Sequence, residues 1–145
     1  MNMYSADYLR TQIETASKEQ LLLMFYDGAI RFTGRARLAI ERGDIEDRNY
    51  CIKKANAVIA ELDATLDHEI GGKIAEDLDS LYNYMLHELN MATIKNSAEP
   101  LVRVEEMLSG LRATWVQAIE KVKKERQSKV IPVRPTAYSS LSIAL

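Results

Sequence analysis

Cysteine occurs once in this 145-residue chain, at Cys51. No internal disulfide can form, and in a helical pattern between Tyr50 and Ile52 the thiol reads as a small buried filler. Charge of one sign is not in excess either: 19 Lys+Arg face 21 Asp+Glu, a formal net charge of -2. That balance excludes a general nucleic-acid binder, which carries a strong basic excess. The longest apolar run covers residues 21–26, far short of a membrane span. The first fifteen residues hold Asp7, Arg10 and Glu14 where a secretion signal needs an apolar core. These absences point to a cytoplasmic protein with no membrane insertion.

Chemistry is scarce as well. A di-metal site inside a helical bundle needs Glu-x-x-His on two helices. The two histidines, His68 and His87, are preceded three residues earlier by Thr65 and Tyr84, so that motif is missing. Asp63 and Asp67 stand one turn apart without a third acid beside them. No Gly-Lys-Ser/Thr follows Gly71-Gly72, so no phosphate loop is present. No serine or cysteine has a motif-supplied base. The expectation is a protein that is not an enzyme, with no cofactor and no metal.

What is present is helical periodicity. Ser17-Lys18-Glu19-Gln20 forms a capping box and opens a first long helix. Its apolar face runs Leu22, Phe25, Tyr26, Ala29, Ile30, Phe32, Thr33, Ala36, Ile40. Gly43 stops it, and Asp44 caps the next. A second helix covers about residues 45–67, with the stripe Ile52, Ala55, Ile59, Leu62, Leu66. Gly71-Gly72 is then expected to form an interhelical loop. A third helix covers about residues 73–95, with Ile74, Leu78, Leu81, Met85 and Leu89 on one face and Tyr82, Leu86 and Thr93 beside it. Asn96 suits a left-handed helix end, Ser97 a cap, and Pro100 a first turn. The fourth helix repeats Leu101, Val104, Leu108, Leu111, Trp115, Ala118, Val122 in steps of three and four. Lys121, Lys123, Lys124 and Arg126 at its far end read as a solvated terminus that suits the helix dipole.

The predicted fold is all-α: an antiparallel up-down four-helix bundle over residues 17–127. A short N-terminal helical segment (1–16) and an irregular C-terminal tail (128–145) flank it. The N-terminal segment carries Tyr4, Tyr8, Leu9 and Ile13, an apolar face suited to a lid. In the tail, Tyr138, Leu141 and Leu145 are spaced to share a face and to mimic a bound helix. That mimicry leads either to self-occupancy or to a homodimer by tail exchange between copies.

The helices hold more apolar surface than one stripe each requires, and the surplus needs a cover. Val58 lies beside Ile59, and Tyr82 and Leu86 lie beside Leu81 and Met85. The candidate groove for a partner helix is lined or supported by Tyr8, Tyr26, Val58, Leu66, Ile74, Leu78, Tyr82 and Leu86.

Specific blocks narrow the class. The run from Glu19 through Leu21-Leu22-Leu23-Met24-Phe25-Tyr26 to Asp27-Gly28-Ala29-Ile30 resembles the first-helix signature of the flagellar secretion chaperone FliS family. The resemblance returns at Glu61-Leu62, Leu66-Asp67 and Glu69-Ile70-Gly71-Gly72-Lys73-Ile74. It continues at Leu81-Tyr82-Asn83-Tyr84-Met85, Ile94-Lys95-Asn96 and Leu111-Arg112-Ala113-Thr114-Trp115. These blocks keep family order from Ser17 to about Glu120. Lys18 stands where the family usually has proline, and the tail after Val130 matches no family block. The resemblance implies a cytoplasmic export chaperone. It would bind the disordered C-terminal segment of flagellin, prevent premature polymerisation and support delivery to the flagellar export gate. The other class of function open to such a bundle is a helical regulatory adaptor for a signalling or transcription-control protein.

Overall fold

The computed structural model describes residues 3–128. Five helices follow one another: α1 (Met3–Thr15), α2 (Lys18–Glu41), α3 (Ile45–Ala64), α4 (His68–Lys95) and α5 (Glu99–Ser128), with no strand among the described residues. The tail positions Tyr138, Leu141 and Leu145, expected to mimic a bound helix, lie outside the described residues.

Each helix boundary has a local cause. The Ser17 hydroxyl accepts from the Gln20 N–H at 3.1 Å, and the Gln20 amide oxygen accepts from the Ser17 N–H at 3.0 Å, completing the capping box. Gly43 takes the left-handed conformation (φ +75°) after α2, and the Asp44 carboxylate caps α3 by accepting from the Asp47 N–H. Asn96 ends α4 at φ 47°, ψ 50°, and the Ser97 hydroxyl accepts from the Glu99 N–H at the start of α5.

The turn between α3 and α4 differs from the expectation. The chain turns at Thr65–Leu66–Asp67, earlier than Gly71-Gly72, because the Asp67 carboxylate accepts from the Ile70 N–H and starts a helical turn there. Gly72 still breaks the helix, at φ 49°, ψ −119°, a conformation that favours glycine. One helical turn therefore precedes the main run of α4.

α2 packs on α3 and α5, and α4 packs on the same two, which closes the four-helix ring. The core stripe of α3 is as expected: Ile52, Ala55, Ile59, Leu62 and Leu66 are all buried. In α4 the buried set is instead Ala75, Leu78, Tyr82, Met85, Leu89 and Ala92, which leaves Ile74 47% and Leu81 36% exposed. Two adjacent stripes of α4 both carry large apolar residues. The stripe holding Tyr82 faces inward because its hydroxyl finds a buried partner, as the next subsection describes. In α5, Leu111 and Ala118 are only half-buried, and Ile119 joins Leu108, Trp115 and Val122 in the core. α1 stays at the periphery, with Tyr8, Leu9 and Ile13 all exposed.

Candidate protein-binding site

The polar centre of the bundle is a chain of three aromatic side chains. The Trp115 indole N–H on α5 donates to the Tyr26 hydroxyl on α2 at 3.1 Å, and the Tyr26 and Tyr82 hydroxyls lie 2.6 Å apart, tying in α4. Both tyrosines are fully buried. Burial pushes the Tyr26 phenol up, against the hydrogen bonds from Tyr82 and Trp115. Burial first, and Tyr26 and Asp63 next, push the Tyr82 phenol up. These hydroxyls stay neutral and satisfy one another, the condition for keeping polar atoms inside a core.

Asp63 on α3 sits at the edge of this chain. Its Oδ1 is buried without a hydrogen-bond donor. Burial first, and the neighbouring Asp79 of α4 second, hold its carboxyl up at about 6, while His68 and Asn83 pull the other way. The Asp79 carboxylate in turn accepts from the Asn83 side-chain amide at 2.9 Å. Two acids thus meet across the α3–α4 seam.

The eight residues expected at the groove fall into three groups. Tyr26, Leu66, Leu78 and Tyr82 are core residues, placed to support a binding surface from beneath. Val58 and Leu86 are half-buried against the core. Ile74 is exposed on α4, and Tyr8 is 71% exposed on α1. Apolar residues also line the outside of α4, where periodicity alone predicts a core stripe. Ile74, Leu81 and Tyr84 stand at i, i+7 and i+10 on one face, with Ile70 in the turn before Gly72, and all four are exposed. Leu81, Tyr84 and Glu88 also share a face, and Glu88 pairs with Arg103 of α5 at 2.9 Å. The line therefore follows the α5-facing edge of α4. Its signal was available in the excess of large apolar residues in α4, but phase alone could not say which stripe would remain outside.

Clefts open elsewhere on the bundle. One of about 490 Å³ opens at the α3–α4 seam, lined by Asn49, Ile52, Lys53, Asn56, Ala57 and Thr93. Another, about 370 Å³, lies where α1 meets α2, between Gln12, Thr15, Ala16, Gln20, Leu23, Met24 and Asp27. Among the described residues no group of three metal-ligating side chains converges, and no helix is long and apolar enough to cross a membrane. His68 and His87 are both exposed, and the Cys51 side chain is buried, with desolvation pushing its thiol up. The arrangement offers apolar surface, clefts and a rigid polar centre, the equipment of a protein-binding module.

Comparison with known proteins converges on one family. A family model described as "Flagellar protein FliS" matches residues 1–122. The chain is 37% identical over 115 residues to the flagellar secretion chaperone FliS of Salmonella typhimurium, covering 79% of this chain and 85% of that protein. It is 36% identical over 125 residues to the Bacillus subtilis protein of the same name, covering 86% and 92%. It is 36% identical over 108 residues to the one from Campylobacter jejuni, covering 74% and 84%.

Proposed function

Because the chain belongs to the FliS family of flagellar secretion chaperones, which are chaperones and not enzymes, we propose that its client is the C-terminal segment of flagellin. In this reading the protein holds that segment in the cytoplasm, keeps it from polymerising and supports its delivery to the export gate. A segment that is apolar-faced when assembled seeks its own kind when free. Laying it along a bundle buries that face, and the ordering cost it pays on binding tempers affinity and allows release.

One observation carries the reading: α4 exposes Ile70, Ile74, Leu81 and Tyr84, apolar residues that the other described residues leave uncovered. Helix-in-groove recognition uses anchors at such spacings. In the proposed site Ile74 lines the surface with Leu81 and Tyr84. Leu66, Leu78, Tyr82 and Tyr26 support it from the core, and Val58 on α3 with Leu86 on the α3-facing side of α4 form a separate part of the proposed surface. Tyr8 on α1 serves as a peripheral contact within the N-terminal cap segment. The half-buried pair and Tyr8 enter the proposed site on the apolar surplus.

The test is a titration with a peptide of the flagellin C-terminal segment. Saturable one-to-one binding is expected, weakened at least about tenfold by the double change Ile74→Asp and Leu81→Asp. Helicity should be unchanged, because both side chains are exposed. No binding by the parent protein, or equal binding by the double variant, overturns the reading.

A further inference from the structure

On the opposite flank, where α2 meets α3, the structure gathers positive charge around two aromatic rings. The Phe32 and Tyr50 rings meet edge to face, with centroids 6.4 Å apart and planes at 73°. The Arg31 guanidinium stands 5.1 Å from the Phe32 centroid. The Arg35 guanidinium stands 5.8 Å from Phe32 and 5.9 Å from Tyr50. The Lys54 ammonium stands 5.5 Å from Tyr50. Three cations from two helices thus share one pair of rings. Ring faces attract cations through their quadrupole but do not neutralise them. Arg35 has a carboxylate as well, Asp47 at 3.0 Å, whereas Arg31 and Lys54 form no ion pair among the described residues.

The rings and the Arg35–Asp47 pair tie α2 to α3, but Arg31 and Lys54 add positive charge beyond what that tie needs. Cations crowded together repel, and the neighbouring Asp47 is already shared by Arg35 and Arg42. Apolar surface accompanies the charge: Tyr50 is 50% and Leu38 48% exposed. The patch is therefore positive, aromatic and partly apolar on a chain whose net charge is -2. Asp44, Glu46 and Asp47 at the start of α3 bound this positive patch at one end of the seam.

We propose that the Arg31–Phe32–Arg35–Tyr50–Lys54 face is a second protein-docking surface, which takes an acidic amphipathic helical segment of a partner. The partner's carboxylates bridge Arg31 and Lys54, and its apolar side chains rest on Tyr50 and Leu38. Two features favour this occupant. Unpaired cations already positioned by rings lose little side-chain freedom when a carboxylate arrives. The exposed Tyr50 ring beside them matches the apolar stripe that an acidic helix carries beside its charges. The proposal does not depend on the identity of the client on α4.

The experiment titrates the full chain with a synthetic helix of about 20 residues, long enough to hold helical structure, bearing Glu on one face and Leu on the other. A Lys-for-Glu version of that peptide and a duplex DNA oligonucleotide serve as comparators. The Glu peptide should bind, and binding should weaken by at least about tenfold as salt rises from about 50 mM to about 500 mM. The pair Arg31→Glu and Lys54→Glu should abolish it while leaving thermal unfolding and flagellin-segment binding unchanged. Tyr50→Ala should weaken it with the salt dependence intact. Equal binding of the Glu and Lys peptides, undiminished binding by the charge-reversed variant, or preference for the duplex overturns the proposal.

Discussion

The α2–α5 seam and the α3–α4 seam join the same kind of helices in opposite ways. Across α2–α5, three directed links cross: Arg37 to Glu105 at 3.0 Å, Arg112 to Asp27 at 2.6 Å, and the Trp115 indole to Tyr26. Across α3–α4, the directed link sits at one end, where Arg48 donates to the Asn96 side-chain oxygen at 2.7 Å. Farther along, Asp63 faces Asp79, like charge against like. Opposite charges and a buried donor–acceptor chain hold helices in one register, whereas adjacent carboxylates resist close approach unless a proton is shared. α2 and α5 thus form the fixed frame, and of these two seams α3–α4, with its open cleft, yields the more easily. Local opening concentrates where directed contacts are few.

The comparison can be broken or sharpened by measurement. The largest effect belongs to the shared core. Leu108→Ala empties a fully buried site and should cost about 2–5 kcal/mol in chemical denaturation. Leu111→Ala, at a half-buried site, should cost clearly less. Equal losses would mean that the α5 face is misassigned.

Next comes the aromatic chain. Tyr26→Phe removes the hydroxyl that both Trp115 and Tyr82 use, and should cost about 1–3 kcal/mol. Tyr82→Phe keeps the Trp115–Tyr26 bond and should cost about 1 kcal/mol. If the order reverses, the α2–α5 link is not the stronger one. Fluorescence of Trp115, the one tryptophan in the chain, gives a direct signal for both variants.

The seam of like charges should show itself through pH. The folded Asp63 carboxyl binds its proton more tightly than the unfolded one, at about 6 against 3.8. Its contribution to stability is full below the unfolded value and is lost as pH rises through about 6. Asp47 runs the other way: Arg42 holds its carboxyl low, so its contribution is lost on acidification. The difference between parent and Asp63→Asn isolates the first effect. Unfolding midpoints of the two should lie closest near pH 4, and the variant should become the more stable as pH rises to 7. Midpoints that run parallel across that window would mean that neither burial nor Asp79 raises the Asp63 carboxyl in the fold.

The smallest effect is expected at the frame's surface. Arg112→Ala breaks a short but exposed ion pair and should cost less than about 1 kcal/mol, shrinking with added salt. A larger loss would make that pair a principal tie of the frame.

Much of this architecture was legible in the residues. Ser17, Gly43, Asp44, Asn96 and Ser97 mark helix ends because capping chemistry is local: a side chain and the backbone within a few residues decide it. The stripes of α3 and most of α5 follow from period alone. Family membership was also legible, carried by short blocks such as Tyr26-Asp27-Gly28-Ala29-Ile30. Three features depended on contacts between residues far apart in the chain. Phase in α4 was ambiguous between two apolar stripes, and the choice rested on Tyr82 meeting Tyr26, 56 positions away. Asp63 and Asp67 stand one turn apart in the sequence, but Asp67 caps α4 and the acid that meets Asp63 is Asp79, from across the seam. The Arg31, Arg35 and Lys54 cluster needed α2 and α3 side by side before its charges could share two rings. Periodicity and capping obey distances measured along the chain, so the sequence by itself determined the helices. Which stripe turns inward, which acids meet and which cations gather depend on distances through space, and only packing four helices together decided them.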